Sequence, residues 1–134
     1  MKGEFSMTAK DIRNALIRKF PDPEWYLGFE VGNSTGTACR RHADAVAFNV
    51  YPSKGFETRG FEIKVSKGDL KNEGIKSGEI ARFCDYWFLV TPKGLTKDFT
   101  LPPTWGVLEC LEDGTLKQVV KPQKLEKQGL KTSN

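Results

Sequence analysis

The segment Arg59-Gly60-Phe61-Glu62-Ile63-Lys64-Val65-Ser66-Lys67 decides how this chain is read. Phe61, Ile63 and Val65 alternate with Glu62 and Lys64, which is the period-two pattern of a strand with one apolar face. An acid and an ammonium group therefore project together from the other face, at the centre of a strand expected over residues 57–65. A charge pair in that position is costly unless something uses it.

Just upstream, Pro52-Ser53-Lys54-Gly55 is a turn signal. Before it, residues 43–51 alternate Ala43, Ala45 and Ala47 with Asp44, Val46 and Phe48, so the two strands are predicted to form an antiparallel hairpin. Such a hairpin returns Asp44 to the neighbourhood of Glu62. Two close carboxylates repel unless a hard divalent cation lies between them, and Mg²⁺ takes one or two carboxylates together with waters and phosphate oxygens. With Lys64 to orient a water or offset charge on a phosphorane, Asp44, Glu62 and Lys64 make a workable phosphodiester-cleaving set.

Further outward the pattern turns helical. Ile12, Ala15, Leu16 and Phe20 recur at steps of three and four, with Thr8 as the expected N-cap, Asp11 in the first turn and Pro21 and Pro23 as the stop. Trp25–Val31 reads as a first strand. Downstream, Ser66 is the expected N-cap of a helical stretch that runs to about Cys84, with Ile75, Ile80, Phe83 and Cys84 as its buried stripe; Gly74 and Gly78 allow it to divide in two. Tyr86–Thr91 suits a strand buried on both faces and parallel to the third. Residues 105–111 and 115–120 read as a closing hairpin around Asp113-Gly114. The order is α, β, β, β, α, β and then two strands, with Trp25, Trp87 and Trp105 assigned to core packing.

Composition limits what such a chain does. Its 134 residues suit one domain, with 38% hydrophobic and 28% charged residues. No apolar run approaches the roughly 18 residues of a membrane span. The N-terminus lacks a signal-peptide core, so a cytoplasmic location is expected. Cys39, Cys84 and Cys110 are odd in number, which fits a reducing compartment. Cys39 and His42 have the gap of half a zinc site, but His42 is the single histidine and no second pair completes it. From Lys117 onward the chain holds five of the twenty-one basic residues and one of the seventeen acids, Glu126; the first 116 residues are thus balanced at sixteen each, and the net charge of +4 belongs to the segment from Lys117 on. Three parts are expected: a flexible N-terminus over 1–7, one domain over 8–120, and a basic, flexible tail over 121–134.

Asp44 followed by Glu62-Ile63-Lys64, within this order of elements, resembles the PD-(D/E)XK nuclease superfamily. Arg40-Arg41-His42-Ala43-Asp44, Glu62 to Leu70, and Cys84-Asp85-Tyr86-Trp87-Phe88-Leu89-Val90 are similar to the MmcB-like DNA repair group and related phage-encoded proteins. Ala43 replaces the superfamily's proline, a position without chemistry. The resemblance implies a restriction-endonuclease-like αβββαβ core with a mixed sheet, plus a C-terminal hairpin. It also implies a Mg²⁺-dependent deoxyribonuclease, with Mn²⁺ as a substitute, in which Asp44 and Glu62 bind metal and Lys64 assists the water. Glu30, on the first strand, is a candidate third acid. Arg40, Arg41 and Lys67 are candidate contacts to the DNA backbone.

The residues alone do not separate DNA from RNA, or a monomer from a homodimer. Two other readings stand beside the nuclease. One is a catalytically inactive nuclease-fold protein that binds nucleic acid or a protein partner. The other is an α/β scaffold in which Glu62 and Lys64 form an ordinary ion pair.

Overall fold

Thr8 caps the first helix. Its hydroxyl accepts the Asp11 N–H at 3.2 Å, and its own N–H donates to the Asp11 carboxylate at 2.9 Å. This reciprocal box starts α1 (Ala9–Lys19). The computed structural model describes residues 7–32, 42–51, 53, 55–73 and 83–125. After α1 come β1 (Trp25–Gly32), β2 (His42–Asn49), β3 (Thr58–Ile63), α2 (Lys67–Glu73), β4 (Tyr86–Pro92), β5 (Gly106–Cys110) and β6 (Leu116–Val120).

All six strands form one sheet in the order β1-β2-β3-β4-β5-β6. The first three are antiparallel neighbours, β4 and β5 each join parallel to the strand before, and β6 closes antiparallel. The architecture is mixed α/β, with the expected hairpin of β2 and β3 and the expected parallel β4. The closing hairpin is not an appendage: β5 lies against β4 within the same sheet. No helix among the described residues is long and apolar enough to cross a membrane.

One face of the sheet is covered by α1. Ile12, Ala15, Leu16 and Phe20 pack on Ala45, Ala47, Phe61, Phe88 and Val90, with Ile63 and Val65 at the margin. Full burial of a side chain such as Ile12 or Leu16 stabilises by about 1.5–3 kcal/mol. Met7, expected in the flexible N-terminus, is partly buried against this cluster. On the second face Trp87 and Leu89 of β4 pack with Leu70 of α2, Cys84 and Trp105, and with Leu95, Phe99 and Leu101 from the connection between β4 and β5; Ala43, near the start of β2, joins the same cluster. Trp87 and Trp105 are buried, and Trp25 packs half-buried on the first cluster.

Two expectations are corrected. Phe83 is exposed, and Leu70 holds α2 to the sheet in its place; Ile75 and Ile80 lie outside the described residues. Residues 121–125, read from sequence as the start of the tail, fold back onto the body. The Gln123 N–H donates to the Thr104 carbonyl at 3.0 Å, the Leu125 N–H to the Asp85 carbonyl at 2.6 Å, and Leu125 packs on the second cluster.

The capping box has a measurable consequence. Thr8→Ala removes the cap and lowers stability by about 1 kcal/mol in denaturant unfolding. Both Thr8 donors hold the Asp11 carboxyl below its ordinary value. A depressed carboxylate contributes stability above the unfolded-state pKa and loses it as pH falls through the folded one. The stability gap between wild type and Asp11→Ala is therefore full at neutral pH and closes in acid. A gap that stays constant into strong acid contradicts this.

Candidate active site

The second face of the sheet carries the acids. The antiparallel register of β2 and β3 runs from Phe48↔Thr58 to Ala45↔Phe61, so one step further brings Asp44 level with Glu62, on the face opposite Phe61. At that step a side chain continues the contact between the strands: the Ile63 N–H donates to Asp44 Oδ2 at 2.7 Å. The Asp44 carboxylate is thereby oriented by the backbone of the strand that carries Glu62.

Glu62 and Lys64 stand at the end of β3, not at its centre. Lys64 is one residue past the strand, though its N–H still donates to the Val90 carbonyl of β4 at 3.1 Å. Lys64 Nζ lies 3.2 Å from Glu62 Oε2, with the side chains 8% and 20% exposed. An ammonium group so deeply placed requires a counter-charge, and Glu62 supplies one. Asp44, Glu62 and Lys64 are thus grouped at one end of one sheet face, where Glu62 pairs with Leu89 of β4.

Glu30 lies on β1 between the pairs Phe29↔Ala45 and Val31↔Ala43, hence level with Asp44. It is exposed, and its backbone is in the left-handed region at φ 57°. Among the described residues no group of three or more His, Cys, Asp or Glu side chains is gathered so as to hold a metal ion. Asp44 and Glu62 alone would offer a metal ion a pair of hard oxygen donors. That count fits Mg²⁺, which completes its shell with waters and phosphate oxygens, and suits zinc poorly.

Of the candidate phosphate contacts, Lys67 opens α2, is exposed, and pairs with Asp98 at 3.3 Å; Arg40 and Arg41 lie outside the described residues. Ser66 caps α2, its hydroxyl accepting the Asp69 N–H at 3.1 Å. The cysteines that are described take no part. Cys84 and Cys110 are buried, and burial pushes the Cys110 thiol up, which keeps it protonated and unreactive. Sequence reading did not find the Ile63 N–H as the anchor of Asp44, because a backbone donor leaves no trace in residue type.

No family model matches the chain, and no curated protein matches it. A solved structure does: the SPO1766 protein of unknown function from Silicibacter pomeroyi, at a TM-score of 0.61 and 16% identity, over 91% of this chain and 77% of that one. The likeness extends over most of the chain, and it is a likeness of fold.

Proposed function

We propose that this chain is a metal-dependent nuclease that hydrolyses DNA phosphodiester bonds, on a core of the restriction-endonuclease-like type. The observation that carries the reading is the buried Lys64 ammonium held 3.2 Å from Glu62, with Asp44 oriented onto the same strand end by the Ile63 N–H. The resemblance of Asp44 and Glu62-Ile63-Lys64 to the PD-(D/E)XK superfamily supports it, as does the order of elements.

Asp44 and Glu62 would hold the metal. When bound, Mg²⁺ supplies a more acidic water and offsets negative charge on the phosphoryl oxygens. The chain's own groups do the rest. Asp44 is fixed in direction by its backbone donor. Lys64, restricted by burial and by Glu62, points a cation at the oxygens where charge builds as the water oxygen bonds to phosphorus and the ester P–O bond breaks. The leaving oxygen takes up a proton, giving a hydroxyl end and a phosphate end.

The test is cleavage of labelled DNA by purified protein in Mg²⁺, Mn²⁺ or EDTA, beside Asp44→Ala. Cleavage is expected with either metal, and it is lost in EDTA and in the variant. Equal cleavage by Asp44→Ala defeats the proposal.

A further inference from the structure

The face that carries Asp44 and Glu62 bears a second feature at its other end. Tyr26 pairs with Phe48 across β1 and β2, and Phe48 shares the face of Val46 and Asp44 by the strand period. Tyr26 is 66% exposed, Phe48 36% and Phe56 45%. The Phe48 and Phe56 rings are 5.9 Å apart and within 11° of parallel.

Phe56 reaches this stack from the left-handed backbone region, at φ 53°, directly after Gly55 at φ 71°. Such a backbone is strained for an aromatic residue, and a ring so exposed recovers little of that strain through burial. Among the described residues, the non-glycines at positive φ are Phe56 and Glu30. One stands at the aromatic end of this face and the other level with Asp44.

The two ends lie on the same face of β1 and β2, with Val46, half-buried against the second cluster, between them. Gly28, opposite Val46, raises no side chain between Tyr26 and Glu30 on β1. Four residue steps along β2 separate Phe48 from Asp44, about 13 Å of strand. That is about four nucleotides at the ~3.4 Å stacked spacing, and fewer if the strand is extended. A duplex keeps its base faces inside the helix, whereas unpaired bases offer them to aromatic rings.

We propose that Tyr26, Phe48 and Phe56 are a stacking platform for unpaired bases, so that the substrate class of the Asp44, Glu62 and Lys64 site is single-stranded DNA, tailed ends included. The substrate assignment rests on the nuclease reading; the platform's binding does not. Its place on the same face as the acids selects a nucleic-acid strand over a protein partner.

The experiment measures fluorescence anisotropy in EDTA, where nothing is cut, using a short labelled oligonucleotide and its blunt duplex. Single strand is expected to bind more tightly than duplex. Phe48→Ala and Tyr26→Ala each weaken single-strand binding about tenfold, and Phe48→Trp retains it. If Phe48→Ala fails to fold, Tyr26→Ala, the most exposed of the three rings, carries the test. Equal affinity for both forms, or alanine variants that bind as wild type, overturns the platform. So does a change of oligomeric state in Phe48→Ala with binding intact, which assigns the face to a second copy of the chain. Failure of the nuclease reading looks different: platform-dependent binding with no cleavage in any metal. Lys64-dependent cleavage that is equal on duplex and single strand overturns the substrate class alone.

Discussion

Replacing Lys64 with methionine is expected to lower metal-dependent DNA cleavage by two orders of magnitude or more, the range seen when a preorganised charge-stabilising donor is removed. Methionine keeps most of the unbranched apolar stem while the ammonium is lost. Breaking a fully buried ion pair costs about 3–5 kcal/mol. Glu62 is 20% exposed and stays in reach of water, so the loss of stability is smaller than that. The decisive comparison is the single-turnover cleavage rate beside the unfolding midpoint. A variant that cuts as fast as wild type removes Lys64 from the chemistry, whereas a variant that unfolds reports on packing. Lys64→Arg keeps the charge but changes its shape and reach, and it is expected to recover only part of the rate.

The second large effect is structural. A Cβ at Gly60 would lie 2.3 Å and 2.4 Å from Trp87 Cζ3 and Cε3, and 2.9 Å from Cys84 Sγ. Trp87 is wholly buried in the second cluster and cannot move aside without opening it. Gly60→Ala is expected to cost about 3 kcal/mol, the upper part of the usual overpacking range, and Gly60→Val to prevent folding. Denaturant unfolding measures the first, and the soluble yield and circular dichroism report the second. Trp87→Leu in the Gly60→Ala background removes the clashing ring, so the pair of changes is less than additive. Among the described residues Trp87 Nε1 has no hydrogen-bond partner, so the change to leucine acts there through packing. A Gly60→Ala protein as stable as wild type refutes this account.

The contrast between these two positions shows what the amino-acid sequence reveals. The α1 helix was legible because its periodicity, its Thr8 cap and its proline stop agree. The β2–β3 hairpin was legible from the turn at Pro52–Gly55 and the alternation on either side of it, which brings Asp44 near Glu62 and Lys64; the register itself came from the structure, since both faces of β2 are largely apolar. The placement of β5 beside β4 was not, since residues 93–105 carry no periodicity and the choice of neighbour is tertiary. Leu70 was overlooked because a helix of seven residues is too short for a repeating stripe. The left-handed backbones of Glu30 and Phe56 have no residue signature, so the stacked rings of Phe48 and Phe56 emerged only from coordinates.

Every strand lies beside its neighbour in sequence, and this has a meaning for biosynthesis. A chain emerging residue by residue from the ribosome never has to wait for a distant strand, or to open a finished sheet to admit a late one. The Lys64 N–H meets its Val90 acceptor once β4 has emerged, so the bonds that anchor Asp44 and Lys64 are available before Trp105 to Val120 leave the ribosome. Nascent chains halted when β4 has emerged are thus expected to contain the pairing around the acids, while the second face still lacks Trp105 and Leu125 as cover.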